Sequence, residues 1–168
     1  MKLDIETFSS RYTVRPLSER DIPAMLALCR GNRLYYQYYG DQPTPENLRA
    51  DLTALPPDTT PEDKHFVGFY QDNRLIALLD LIAGYPAQDT AYIGWFILDC
   101  TLQGRGLGTA MISELLSALK PAGFRAVRLA YVQNNPQSAR FWQKNGFVPS
   151  GSPVDTAPRT LQAAERRL

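Results

Sequence analysis

The segment Gln103-Gly104-Arg105-Gly106-Leu107-Gly108-Thr109 sets the strongest constraint on what this chain can become. It lies between an apolar, strand-like run, Ala91 to Leu98, and the most regular helical pattern in the sequence, Gly106 to Ala122. In that helix Leu107, Met111, Leu115 and Leu119 share one stripe, with Ile112 and Leu116 beside it. Glycines between a strand and a helix let the backbone turn tightly and approach a ligand closely, while the first N–H groups and the positive end of the helix face whatever lies there. The arrangement is a cradle for a phosphate. The dinucleotide fingerprint would put glycine at Thr109 and the P-loop would need a Lys-Ser/Thr pair, so neither fits. A glycine-rich turn with no ligand is the competing reading.

The flanking elements give a fold class. Tyr12 to Leu17 is a short strand, and Ser18-Glu19-Arg20-Asp21 has capping-box form ahead of a helix carrying Ile22, Met25, Leu26 and Cys29. Thr44-Pro45-Glu46 starts a second helix. His65 to Tyr70, Arg74 to Ile82 and Ala91 to Leu98 read as three successive strands, and Arg125 to Val132 as another after the long helix. Asn135-Pro136 opens a last helix that Asn145-Gly146 closes, and Phe147-Val148 resumes a strand. Thr160 to Leu168 suits a strand, although Ala163-Ala164-Glu165 equally suits a helix. This order implies an α/β domain, antiparallel early and with a parallel crossover later.

Composition limits the chemistry. The 168 residues read as one domain over 1–168 with its motifs at about 90–148, and 18 Lys and Arg against 17 Asp and Glu leave a formal charge of +1. Such balance offers no general attraction to nucleic acid or an anionic membrane. One histidine, His65, and two cysteines, Cys29 and Cys100, do not suffice for a zinc cluster or a disulfide framework, so no metal is expected. The absence of a signal-peptide pattern or a ~20-residue apolar span reads as a cytoplasmic protein.

Gln103-x-x-Gly106-x-Gly108, directly after Tyr92-Ile93-Gly94-Trp95-Phe96-Ile97-Leu98, is similar to the Q/R-x-x-G-x-G/A signature of the GNAT N-acetyltransferase superfamily. Asn135-Pro136-Gln137-Ser138-Ala139-Arg140-Phe141-Trp142, ending in Asn145-Gly146-Phe147, resembles that family's second hallmark. The resemblance implies a mixed, mostly antiparallel sheet of six to seven strands with a central splayed parallel pair, about four flanking helices, and an acetyl-coenzyme A site. On that implication the backbones of Ile97 and Leu98 pair with the pantetheine arm, and the N–H groups of Gln103, Gly104, Arg105, Gly106, Leu107, Gly108 and Thr109 hold the pyrophosphate. Arg105 would reach a phosphate oxygen, Asn135 would contact the cofactor arm, and Trp142 would wall the thioester pocket. Arg105 also reads as a solvated loop arginine and Asn135 as a plain helix N-cap.

The implied activity is acetyl transfer from acetyl-coenzyme A to a primary amine, of a small molecule or a protein, by direct attack in a ternary complex, in a monomer or homodimer. An alkylamine of pKa near ~10.4 is only about one part in 10³ neutral at pH 7, so a base or a water relay is useful. A backbone N–H at Leu98 would meet the developing oxyanion. Two frequent family features are absent: Trp142 stands where a thiolate-protonating tyrosine is common, and Gly94-Trp95-Phe96 where a strand glutamate is. Both absences favour the alternative of an acetyl-coenzyme A sensor of the same fold. Asp80, inside Leu78-Leu79-Asp80-Leu81-Ile82, is a candidate base with a pKa raised by burial, or a structural carboxylate satisfied by a donor. Tyr131 is a candidate proton relay or a core tyrosine. Tyr35, Tyr36, Tyr38 and Tyr39, after the first helix where the family builds part of its acceptor cleft, offer rings and hydroxyls to a cationic amine. They also suit a packed loop or a dimer contact.

Overall fold

A strand covered on both faces shows no alternation, and Arg74–Ala83 (β3) is such a strand: apart from Arg74 and Asp80 all of it is buried. The computed structural model, which describes residues 3–168, places it mid-sheet. β3 runs antiparallel to Lys64–Gln71 (β2) on one side and Thr90–Leu98 (β4) on the other, and Thr13–Pro16 (β1) extends the β2 edge. β4 pairs in parallel with Ala126–Val132 (β5). β5 continues antiparallel to Thr160–Arg167 (β8), which also takes the two-residue strands Val148–Pro149 (β6) and Val154–Asp155 (β7).

The result is the expected mixed, mostly antiparallel sheet with a central parallel pair, with eight strands among the described residues instead of six to seven. β7 is too short to produce a readable pattern. Thr160–Arg167 is a strand because pairing along the whole of β5 overrides the helix-favouring Ala163-Ala164-Glu165.

Among the described residues five α-helices flank the sheet where about four were expected. Ile22–Gly31 (α1) follows the Ser18 to Asp21 cap, in which the Ser18 N–H donates to Asp21 Oδ2 at 2.8 Å. Arg33–Tyr39 (α2) is the additional helix, separated from α1 only by Asn32. Pro45–Asp51 (α3) starts as its sequence predicts, with Thr44 Oγ1 accepting from the Asn47 N–H at 3.1 Å. Leu107–Leu119 (α4) and Pro136–Lys144 (α5) cover one face of the sheet, over Val67, Leu79, Ile93 and Leu129; α1, α2 and α3 cover the other, over Phe66, Leu78 and Ile97. Among the described residues no helix is long and apolar enough to cross a membrane.

Candidate active site

The β3–β4 ladder slips by one residue at its centre: Asp80 stands opposite Trp95, but Leu81 stands opposite Ile93, which leaves Gly94 without a partner. Such a bulge bends the strand and exchanges the faces its side chains take. Before it Ala91 and Ile93 pack on the α4 face; after it Phe96 and Leu98 do, while Trp95 and Ile97 pack on the α1 face. The parallel pairing with β5 ends at Ile93 and Leu129, and residues 95–98 and 130–132 line a cavity of about 660 Å³.

Hydrogen-bond phase shows which backbone groups enter that gap. The Asp99 N–H donates to the Ile76 C=O at 2.7 Å. Alternation along an antiparallel ladder then turns the N–H and C=O of Trp95 and Ile97 toward β3, and those of Phe96 and Leu98 away from it, toward β5. The Leu98 C=O accepts from Asn32 Nδ2 at 3.1 Å and from Gln103 Nε2 at 2.9 Å. The Leu98 N–H and both backbone groups of Phe96 face the cavity.

The same amides anchor the glycine loop. Gln103 Nε2 also donates to Asn32 Oδ1 at 2.7 Å, Asn32 Nδ2 to the Leu28 C=O at 2.9 Å, and Gln137 Nε2 to Gln103 Oε1 at 3.3 Å. One side chain thereby ties the end of β4 to the end of α1 and the start of α5. Gln103→Leu is expected to lower stability by about 1–3 kcal/mol, read by thermal denaturation, because Asn32 Oδ1 loses its donor.

Beyond Gln103, Gly104 and Gly106 both have φ of +76°, with nothing within 4 Å of where a Cβ would stand. The first turn-closing N–H of α4 is that of Ala110, donating to the Gly106 C=O at 3.0 Å. The N–H groups of Leu107, Gly108 and Thr109 therefore have no intrahelical acceptor. A Cβ on Gly108 would lie 3.1 Å from the Phe141 ring, so α4 and α5 approach closely only with glycine there.

Polar groups also collect on the α1 face of the sheet. Both carboxylate oxygens of Asp80 accept from Lys64 Nζ at 2.8 Å, and Lys64 Nζ donates as well to the Ala54 C=O at 2.9 Å. Burial raises the Asp80 carboxyl above the ordinary range and Lys64 opposes the rise. Burial also raises Asp51, with the Asp80 charge adding to it. Gly94 is exposed and lines the cavity, and a Cβ there would stand 3.1 Å from Asp80 Oδ2. Glycine at 94 therefore keeps the space beside Asp80 Oδ2 free of a side chain, although Asp80 itself is not among the residues lining the cavity.

The sequence profile of the Acetyltransferase (GNAT) family matches residues 29–147, well over half the chain. The chain belongs to the GNAT acetyltransferase family. No curated protein sequence matches it. Among solved structures, an acetyltransferase from Thermus thermophilus superposes with a TM-score of 0.75 at 24% identity, covering 94% of this chain and 97% of its own. RimL, the ribosomal L7/L12 α-N-protein acetyltransferase, gives 0.74 at 20% identity over 99% and 95% of the two chains. The PaiA N-acetyltransferase of Thermoplasma acidophilum, solved with coenzyme A, gives 0.67 at 19% identity over 94% and 99%.

Within this GNAT fold the residues singled out from sequence fall into two groups. Leu98, Gln103, Gly104, Gly106, Leu107, Gly108, Thr109, Tyr131 and Trp142 all line the cavity. Arg105 is exposed and outside its lining, as a solvated loop arginine would be. The Gln103 side chain holds protein groups, and its N–H donates to the Cys100 C=O at 3.4 Å. Ile97 lines the cavity, but its backbone groups turn to β3, and the outward-facing pair is that of Phe96 and Leu98. Periodicity alone cannot reveal this, because the ladder phase depends on the partner strand. Asn135 caps α5, its Oδ1 accepting from the Gln137 and Ser138 N–H groups at 3.1 and 3.2 Å, and lies outside the cavity lining.

The four tyrosines separate by helical phase. Tyr35 and Tyr39, one turn apart on α2, stack with ring centroids 5.7 Å apart and line the cavity. Tyr36 points into the core beside Cys29, whose thiol burial pushes up to about 11. Tyr38 lies outside the lining. Two cavity residues carried no readable signal: Asn32, which bridges α1 to β4, and Arg159, in the turn before β8.

Proposed function

We propose that this protein is an acetyl-coenzyme A-dependent N-acetyltransferase that transfers the acetyl group to a primary amine by direct attack in a ternary complex. The observation that carries the reading is the meeting, in one cavity, of the cleft-facing N–H of Leu98 with the N–H groups of the Gly104 to Thr109 turn. The open space over Gly104 and Gly106 and the unbonded first turn of α4 suit a pyrophosphate. The outward backbone of Phe96 and Leu98 suits an extended amide-bearing arm. When bound, acetyl-coenzyme A supplies the thioester.

Every other task falls to the chain. The Leu98 N–H donates where negative charge develops on the carbonyl oxygen. Asp80 takes a proton from the acceptor ammonium through a water seated over Gly94. Tyr131, which lines the cavity and makes no side-chain hydrogen bond to another described residue, protonates the departing thiolate in place of the tyrosine that Trp142 replaces. A thiol of pKa near ~8.5 leaves tolerably even without an acid, so Tyr131→Phe is expected to lower kcat by no more than about 10²-fold.

The pH dependence follows in sign from Asp80. Transfer requires its ionised form, so kcat/KM rises with pH through its titration, and burial places that limb above the ordinary carboxylate value of ~3.9. Calorimetry with acetyl-coenzyme A followed by thiol release across an amine panel tests the reading. Failure to bind acetyl-coenzyme A at high micromolar concentration would end it. The Lys64–Asp80 ion pair, together with Trp142 and the missing strand glutamate, favours the second reading, an acetyl-coenzyme A-binding sensor, which predicts binding with no thiol release over any amine.

A further inference from the structure

The whole chain is nearly neutral, but the cavity is not. Among the described residues its charged lining residues are Arg140, Lys144 and Arg159, with no Asp or Glu. Arg140 and Lys144 sit one turn apart on α5, the helix whose Phe141 ring meets Gly108 and whose C-terminal Asn145 donates to Thr109 Oγ1 at 3.4 Å. Their charge belongs to the phosphate end of the site. Arg159 is held at a different place.

Three contacts fix Arg159 against α2. Its Nε donates to the Tyr39 C=O at 2.7 Å, its Nη2 to Asp41 Oδ2 at 2.6 Å, and its guanidinium carbon lies 3.7 Å from the Tyr39 ring centroid. The neighbouring Pro158 packs where a Cβ on Gly40 would stand, at 3.2 Å, so the turn before β8 is clasped to the end of α2. The Arg159 side chain is 15% exposed, whereas Asp41 is 58% exposed and its charge is correspondingly screened. Nη1 makes no hydrogen bond to another described residue. The tyrosine pair is therefore no open cage for a cation. One ring face is already covered by a guanidinium, and a polycationic acceptor would bring like charge against it.

We propose that the acceptor is an amine that also carries a carboxylate, with Arg159 as the group that holds that carboxylate beside Tyr35 and Tyr39. A guanidinium fixed through Nε and Nη2 presents Nη1 in a set direction, and its planar, permanently charged fork matches a carboxylate as a lysine ammonium does not. The ammonium end of such an acceptor is directed toward Gly94, which lines the same cavity and adjoins the Lys64-paired carboxylate of Asp80. The inference rests on the N-acetyltransferase reading and adds the acceptor class to it.

Thiol release measured with free α-amino acids, their α-amides and the corresponding decarboxylated amines tests it, alongside peptides beginning Ser-Asp or Ser-Asn. The expected result is a kcat/KM at least about tenfold higher for the carboxylate-bearing member of a matched pair, the scale of one charge-assisted hydrogen bond. Preference among free amino acids places the carboxylate on a small molecule; preference for Ser-Asp over Ser-Asn places it on a peptide N-terminus. Arg159→Gln is expected to remove the preference through KM, and Arg159→Lys to restore part of it. Equal or better turnover of the amides and decarboxylated amines by the unmodified protein overturns the acceptor class and leaves the N-acetyltransferase reading standing, and this comparison needs no variant to fold. An unchanged preference in folded Arg159→Gln overturns the role of Arg159. Acetyl-coenzyme A binding with no transfer to any amine overturns the transferase reading, and the acceptor class with it.

Discussion

Gly108→Val is expected to raise the dissociation constant for acetyl-coenzyme A by at least about 10²-fold, because more than one hydrogen bond to a charged group is lost at once, each worth about 1.5–3 kcal/mol. The cause is steric. A Cβ alone would stand 3.1 Å from the Phe141 ring and 3.7 Å from Leu98 Cδ2. Two further methyl groups must either force α5 away from α4 or enter the space that the free N–H groups of Leu107, Gly108 and Thr109 face. Overpacking of this kind also costs about 1–3 kcal/mol of stability, so the melting temperature is measured beside the calorimetric titration. A folded Gly108→Val protein that binds acetyl-coenzyme A as tightly as the parent would contradict the cradle.

Asp80→Asn is expected to act twice. The Lys64 side chain is 6% exposed, and the substitution removes the carboxylate that its ammonium is hydrogen-bonded to, which costs about 3–5 kcal/mol. In a chain of this size that amounts to a fall in melting temperature of roughly 6–20 °C. As the proposed base its loss also lowers kcat by about 10²-fold. The double substitution Lys64→Met with Asp80→Leu separates the two effects, since replacing a buried ion pair by apolar groups of similar size is close to neutral for stability. It is expected to restore the melting temperature and not the turnover. Recovery of both would make Asp80 a purely structural partner of Lys64.

The two variants also mark how far the sequence could be read. Gly108 was legible because its constraint is local: a turn from a strand into a helix needs glycine wherever backbones or ligands come close, and the spacing from Gln103 is visible in one dimension. The Thr44 and Ser18 caps and the apolar stripe of α4 were legible for the same reason, since each depends on residues within a turn or two of one another. Asp80 was legible only as a carboxylate in an apolar run. Its partner Lys64 lies on the adjacent strand, and its approach to Gly94 depends on a one-residue slip that no pattern in β4 announces. The α2 tyrosines were visible as a cluster, but which of them meet the cavity follows from helical phase about an axis that α1, α3 and β3 set.

By itself the sequence determined most of the order of elements, though not α2, β7 or the strand character of β8, together with the glycine turn, the two family hallmarks and the near-neutral charge, because these are properties of neighbours along the chain. The tertiary structure alone decided that Phe96 and Leu98 present their backbones to the gap while Ile97 does not, that Gln103 serves as a latch to Asn32, and that Arg159 brings positive charge to the tyrosine side of a cavity with no carboxylate in its lining. Each of those depends on groups far apart in sequence. The direction of a hydrogen bond across a sheet, or the sign of charge inside a cavity, is fixed only when the partner strand and the closing turn are in place.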